Sequence, residues 1–338
     1  MRITIKDVAR EAGVSIATAS MALNNRAGVN AETRRRVLRI AREMHYVANH
    51  SAQALVMQES GCIGLMIPEI QNPFYSAIVD ILSHLAEVRG YTLLLGIANN
   101  SAEQEERYLR FFLSRRVQGV IMVPILNPRR SGRNVEMLRQ ANVPIVFCTE
   151  RYAGSAEPVV MCDFAQGQYE ITKYLIGRGL RDFWFVSVDI DAQFATLRYE
   201  GYVRALQEAG IPQRRERELL LEMPWYGQAY EGAARILEDR PEAVICINDI
   251  MTMAIVKRIL ESGLSIPGDI SVAGFDDIMF SALVSPPLTT VHQPIQEICE
   301  KTMQLLADAI EAGDGRAHGE GDGVHLIAPH LVVRETTI

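Results

Sequence analysis

Val14-Ser15-Ile16-Ala17-Thr18-Ala19-Ser20-Met21-Ala22-Leu23-Asn24 is the stretch from which the rest of this 338-residue chain can be read. Before it, Thr4-Ile5-Lys6-Asp7-Val8-Ala9-Arg10-Glu11-Ala12-Gly13 has the pattern of a short amphipathic helix. Thr4 and Asp7 have capping-box spacing, and Ile5, Val8, Ala9 and Ala12 fall on one apolar stripe. Gly13 can take the left-handed conformation that stops a helix, and Ser15 is placed to cap a second one. Two short helices joined by a tight glycine turn form a helix-turn-helix, whose second helix is shaped for a major groove. Ile16 and Ala17 occupy its first turn and Met21 lies one turn on. These three are expected at base edges, through apolar contact only.

A third helix completes the unit. Asn30 can cap it, Val37, Ile40, Ala41 and Met44 make its apolar stripe, and Arg34, Arg35, Arg36, Arg39 and Arg42 lie opposite. On its own an arginine-rich face is as readily a solvated face; beside a helix-turn-helix, phosphate contact becomes the better reading. The net charge of −7 seems to argue against a nucleic-acid partner, but its distribution reverses that. Residues 1–60 carry nine Arg/Lys against five Asp/Glu, while the remainder carries 25 against 36. A basic module on an acidic body is what a local DNA footprint needs.

Ile5-Lys6-Asp7-Val8-Ala9, Ala12-Gly13-Val14-Ser15, Ala17-Thr18, Ala22-Leu23-Asn24 and Glu32-Thr33-Arg34 together resemble the headpiece of the LacI/GalR family of bacterial transcription regulators. Several fixed spacings recur at once, which makes the motif specific. The resemblance implies polar DNA contacts from Thr4, Ser15, Thr18, Ser20, Asn24 and Asn49, beside the apolar ones of Ile16, Ala17 and Met21. It also implies a hinge helix in the segment from Asn49, with Leu55 as the residue that wedges into the minor groove; such a wedge unstacks a base step and kinks DNA. Ala48 and Gln53 depart from the family pattern, which commonly has proline and arginine there.

From Cys62 onward, apolar strand-like runs alternate with amphipathic helical ones, the rhythm of right-handed βαβ units and parallel sheets. Asn72-Pro73-Phe74, Arg198-Tyr199-Glu200-Gly201-Tyr202, Gly274-Phe275-Asp276-Asp277 and Pro287-Leu288-Thr289-Thr290-Val291 resemble the periplasmic-binding-protein-like core of the same family. The expected fold is thus an all-α helix-turn-helix headpiece at 1–48, a hinge and linker at 49–61, and an α/β core of two doubly wound parallel-sheet lobes at 62–338. Lobe 1 is expected to take 62–160 and 293–322, and lobe 2 to take 161–292 and 323–338. Two such lobes leave a cleft at the C-terminal ends of their strands. The resemblance places Phe74, Arg198, Asn248, Asp276 and Gln293 there as effector contacts, with Trp225 as a flat apolar face for a ring. Phe164 and Ala192 stand where relatives commonly have polar residues.

Cys62, Cys148, Cys162, Cys246 and Cys299 show no metal-ligand spacing and are expected as reduced thiols in a cytoplasmic protein. No signal-peptide pattern opens the chain and no apolar run reaches membrane-spanning length. No nucleotide-binding, GxSxG or zinc motif is present, so no cofactor and no catalysis are expected. The resulting expectation is a regulator that binds pseudo-palindromic double-stranded operator DNA as a homodimer, most naturally as a repressor, under control of a small-molecule effector, a sugar or sugar derivative. The rival is a stand-alone sugar-binding protein, against which the headpiece and the missing signal peptide both count.

Overall fold

Three helices form between Ile5 and Glu43: α1 (Ile5–Glu11), α2 (Ile16–Leu23) and α3 (Ala31–Glu43). Each begins where a short polar side chain can serve the exposed backbone N–H groups. The Asp7 carboxylate accepts from both the backbone N–H of Thr4 (3.0 Å) and its hydroxyl (2.7 Å). Ser15 Oγ accepts from the Thr18 N–H (3.0 Å), and Asn30 Oδ1 accepts from the Thr33 N–H (2.8 Å). Gly13 ends the first helix at φ +63°. Val8, Ala9, Ala12, Ala19, Ala22, Val37, Ile40 and Ala41 form the core of this unit. Five of the eight are alanines, so the helices approach closely and little apolar area is buried. This is a computed structural model, and it describes residues 3–23, 27–46, 60–126, 131–189, 192–313, 315 and 323–338. The expected hinge helix, with Asn49 and Leu55, lies outside the described residues, as does Asn24.

The chain divides into two compact units, Met1–Ser60 and Gly61–Ile338. In the second, strands β1 (Cys62–Ile67), β2 (Thr92–Ile97), β3 (Val120–Met122), β4 (Ile145–Cys148), β5 (Val159–Cys162) and β11 (Val324–Ile327) make one sheet, in the order β11-β5-β4-β3-β1-β2. Every pairing in it is parallel. Helices α4 (Pro73–Val88), α5 (Ala102–Ser114), α6 (Ser131–Gln140) and α11 (Ile295–Ala312) cover it. The second sheet, β7-β6-β8-β9, is parallel throughout and comprises β6 (Phe183–Val188), β7 (Glu218–Leu221), β8 (Ala243–Cys246) and β9 (Ser271–Ala273). Its helices are α7 (Phe164–Gly177), α8 (Gln193–Glu208), α9 (Tyr226–Asp239) and α10 (Asp249–Glu261). The strands are continuous apolar runs because helices cover both faces. Helices α7 and α8 approach closely at Gly201, where a Cβ would lie 2.1 Å from the carbonyl oxygen of Ala165.

The lobe boundaries differ from the sequence-based expectation at two points. Strand β5 belongs to the first sheet, so the first crossing falls at Asp163, the cap of α7, and not before residue 160. Residues 323–338, expected wholly in lobe 2, hold two strands in different sheets. Strand β11 pairs with β5 in lobe 1, while β12 (His330–Val332) pairs antiparallel with β10 (Thr290–His292). Pro329 separates them: it has no N–H to give a ladder, and the chain turns there from one lobe to the other. The third crossing is therefore at 328–329, not at 319–323. Strands β10 and β12 are themselves crossing segments, and Gly274 and Asp276 bond through their N–H groups to the carbonyls of Thr289 and Val291. All five cysteines are free. Among the described residues no helix is long and apolar enough to cross a membrane.

Candidate functional site

On the headpiece, α2 presents its first turn outward. Ile16 is 48% exposed, an unusual state for isoleucine, and Ala17 is exposed beside it. Thr18, Ser20 and Met21 are half-buried, while Ala19 and Ala22 anchor the opposite face. The sulfur of Met21 lies 3.7 Å from the position a Cβ would take on Gly28, so this side chain also packs against the turn before α3. On α3, Arg35, Arg36, Arg39 and Arg42 are exposed. Arg39 pairs with Glu43 at 2.9 Å, and Arg35 donates to the Ala31 carbonyl. The surface thus joins an apolar tip to a cationic flank, the two properties that base-edge and phosphate contacts respectively need.

In the core, side chains from both lobes meet in a cleft. Glu69, Asn72, Phe74, Tyr75, Thr149 and Glu150 come from lobe 1, and Phe164, Phe194, Arg198, Asn248, Asp276 and Gln293 from lobe 2 and the crossing segments. They enclose a cavity of about 50 Å³. At about 10–15 Å³ per water, this free space holds a few waters. A neighbouring chamber of about 330 Å³ is lined by Pro124, Ile125, Tyr152, Ala192, Gln193 and Thr196 among others. Leu126 and Glu150 belong to the walls of both.

Arg198 and Asp276 form the centre. Arg198, on α8, is 4% exposed and donates to Asp276 Oδ1 at 3.2 Å. Its guanidinium lies 4.3 Å from the Phe164 ring centroid and 4.1 Å from that of Phe275, a stacked geometry that favours a weakly hydrated cation. Phe164 thus serves as a platform for the arginine. Asp276 also accepts from Gln293 Nε2 at 2.7 Å. Its backbone is at φ +117°, a region costing roughly 1–3 kcal/mol for a side-chain-bearing residue, held here by bonds to the crossing strand. Burial pushes the Asp276 carboxyl up to about 6, despite the opposing pull of Arg198 and Gln293. Burial also lowers Arg198, more than Asp276 raises it. Desolvation exceeds attraction on both sides of this pair.

Of the six expected effector contacts, five meet in the cavity wall. Phe74 is buried in the first turn of α4, its N–H on the Asn72 cap at 3.0 Å, with its ring edge-on to Tyr75. Asn248 caps α10, accepting from the Met251 N–H at 2.7 Å. Trp225 is not in that wall: it is half exposed at the start of α9, with its indole hydrogen-bonded to Glu69. Sequence reasoning missed Glu69, Tyr75, Glu150 and Phe194. Burial raises the Glu69 carboxyl, pushes Glu150 up to about 7, and raises the Tyr75 hydroxyl with help from Glu150, Glu69 and Asp276. The available signal was position: Glu69 and Glu150 each follow an apolar strand by two residues, at the sheet's C-terminal edge. Asp249 was also missed. Buried at the first position of α10, it accepts from Ser281 Oγ (2.5 Å), Thr290 Oγ1 (2.6 Å) and the Ile278 N–H (3.2 Å). It ties the loop after Asp276 to the crossing strand.

Residues 4–49 match the model of bacterial regulatory proteins of the lacI family, and residues 172–337 match that of the periplasmic binding protein-like domain. The HTH-type transcriptional regulator RegA of Clostridium saccharobutylicum is 32% identical over the full length of both chains. The chain belongs to the LacI family. It is therefore a DNA-binding transcriptional regulator and not an enzyme. Among solved structures, the lac repressor dimer bound to operator and the anti-inducer ONPF superposes with a TM-score of 0.87 at 25% identity, covering all of both chains. A complex of the transcriptional regulator CelR with cellobiose gives a TM-score of 0.73 at 26% identity, covering 99% of this chain and all of the other. In this LacI-family chain the headpiece and the two-lobed core are the two expected parts.

Proposed function

We propose that this protein is a cytoplasmic repressor that binds a pseudo-palindromic operator as a homodimer and is switched by a carbohydrate or carbohydrate derivative held in the cleft. The observation that carries the reading is the Arg198–Asp276–Gln293 cluster, buried and hydrogen-bonded, facing Phe74 across the lobes. Charged hydrogen-bond partners beside an aromatic face suit a ring bearing hydroxyls. A ligand touching both walls favours the lobe separation that fits it, and only such differential affinity can shift a two-state balance. The cellobiose-bound relative supports the ligand class, and the operator-bound repressor dimer supports the DNA partner and the symmetry.

Ile16, Ala17 and Met21 would read base edges, with Thr4, Ser15, Thr18, Ser20, Asn24 and Asn49 as polar contacts. Leu55 would be the wedge, and Arg34 to Arg42 would supply phosphate contacts. Exposed Met279, Phe280 and Leu283 lie on the loop that Asp249 anchors and offer an apolar patch for the second protomer. The test is a thermal-shift screen of sugars and sugar derivatives, followed by operator titration with and without the hit. Asp276→Ala should abolish the effect of the hit on operator binding while leaving effector-free DNA affinity intact. Unchanged calorimetric affinity for the hit in Asp276→Ala would remove the carboxylate from the site.

A further inference from the structure

The charge of the cleft wall is unbalanced. Glu69, Glu150 and Asp276 line the 50 Å³ cavity, and Arg198 is the one cation among the described residues of that wall. Arg198 is committed to Asp276 and to the rings of Phe164 and Phe275. Glu150, 9% exposed, has the Phe194 backbone N–H and only the more distant field of Arg198. Glu69 has the Trp225 indole. Tyr75 shares this wall, and its hydroxyl is raised by burial and by the three carboxylates against the opposing pull of Arg198.

Two further buried atoms call for a ligand. Gln293, 1% exposed, gives its Nε2 to Asp276, which leaves Oε1 without a protein partner; Arg198 Nε is likewise unpartnered. Gln293 Oε1 needs a donor, and Arg198 Nε needs an acceptor such as a ring hydroxyl. A neutral sugar satisfies these two atoms and can donate to a carboxylate. It brings no positive charge to offset Glu150, which is buried, or Glu69, which is half-buried beside it in the same wall.

We propose that the effector is an aminated carbohydrate whose protonated amine sits against Glu69 and Glu150, with its hydroxyls on Arg198, Asp276 and Gln293. Glu150 stands in the wall common to the two chambers, so the amine lies at their junction and the remainder of a larger ligand extends into the 330 Å³ space. Arg151 in that outer wall donates to the Glu157 carbonyl and is not in the inner wall. This inference rests on the cleft being the effector site, and the experiment separates the two.

The intact protein is titrated by calorimetry with glucosamine, galactosamine and mannosamine, each against its parent hexose and its N-acetyl counterpart, in which the ring is kept and the charge removed. At least one amine should bind about tenfold or more tightly than both neutral counterparts, the size of a charged hydrogen bond in a desolvated site. The near-isosteric Glu69→Gln and Glu150→Gln should each erode that ratio, lowering affinity for the amine more than for its neutral counterparts. A neutral sugar that binds as well as its amine, with binding lost in Asp276→Ala, overturns the amine and keeps the cleft. Failure of all three amines, or a preference that persists in both Gln variants, also overturns it. Far-UV circular dichroism confirms that each variant is folded.

Discussion

The headpiece and the core place functional chemistry in opposite ways. In the headpiece the side chains read as functional are on the outside: Ile16 is exposed, and four of the α3 arginines face water. In the core they are inside, paired with one another: Arg198 and Asp276 are 4% and 5% exposed and 3.2 Å apart. The difference follows from the partner. A DNA duplex is a large polyanion that must be met on a surface, and its phosphates leave cations solvated until contact. A small molecule is enveloped, so its contacts must wait in a desolvated site and satisfy one another meanwhile. The same residue type, arginine, is therefore structurally expendable in one unit and indispensable in the other.

The most severe way to test that contrast is to truncate an arginine in each unit. Arg198→Ala leaves Asp276 buried and unpaired and empties the space between Phe164 and Phe275, and should destabilise the core by about 3–5 kcal/mol. Arg36→Ala, at an exposed position, should change stability by less than about 0.5 kcal/mol and act only on DNA affinity. Urea unfolding and operator titration of both variants give the four values. A loss in Arg198→Ala as small as that in Arg36→Ala would show that the pair is not needed for folding.

Backbone approach is the next contrast. The headpiece helices pack through alanine side chains, whereas α7 and α8 meet at Gly201 with a backbone oxygen 2.1 Å from the missing Cβ. Gly201→Ala must push the helices apart and should cost about 1–3 kcal/mol, read as a lowered urea midpoint. An unchanged midpoint would mean that the two helices slide freely.

Buried acids should also give the core a pH dependence that the headpiece lacks. Burial holds Glu150 and Asp249 at about 7 and Asp276 at about 6, above their ordinary carboxylate values. A raised folded-state value means that the folded form binds more protons. Their contribution is therefore full below about pH 4 and is lost as pH rises toward 7. Asp7, in the headpiece, is held low by its Thr4 hydrogen bonds and has the opposite sign. Glu150→Gln should raise the melting temperature at pH 8 by about 2–4 °C, on the order of 1–2 kcal/mol, and leave it unchanged at pH 4.5. Equal shifts at both pH values would show that folding leaves the Glu150 carboxyl at its ordinary value.

How far each region was legible follows the same division. The headpiece could be read because its signals are local: Thr4 with Asp7, Ser15 with Thr18 and Asn30 with Thr33 are each three residues apart. The alternation of strands and helices in the core was legible for the same reason. Its cleft is assembled across 78 residues at Arg198 and Asp276, and only resemblance brought those two together. Glu69 and Glu150 carried neither a motif nor a periodicity, and their positions past strand ends had meaning only once the sheet order was known. Strand β11 was assigned to the wrong lobe because strand membership is a long-range pairing, and nothing local at 323–338 shows that Pro329 divides two strands of different sheets.

The smallest effect tests whether the headpiece's stability is as local as its signals. Asn30 Oδ1 accepts from the Thr33 N–H at 2.8 Å, and α3 has few other ties at its start, since Ala31 and Glu32 are exposed. Asn30→Ala removes the side-chain acceptor of the Thr33 N–H at the helix end, a change of about 1 kcal/mol. In a unit whose core is mainly alanine this is a large share of the available stability, and α3 carries the arginine face. Hydrogen exchange should therefore quicken about fivefold at the amides of α3, and operator affinity should fall with it. Amides of β1 and β6 should keep their protection, because Met1–Ser60 and Gly61–Ile338 are separate compact units. Faster exchange in those strands would show that the two units unfold together, and that the division between an exposed, locally encoded module and a buried, long-range one does not extend to their stability.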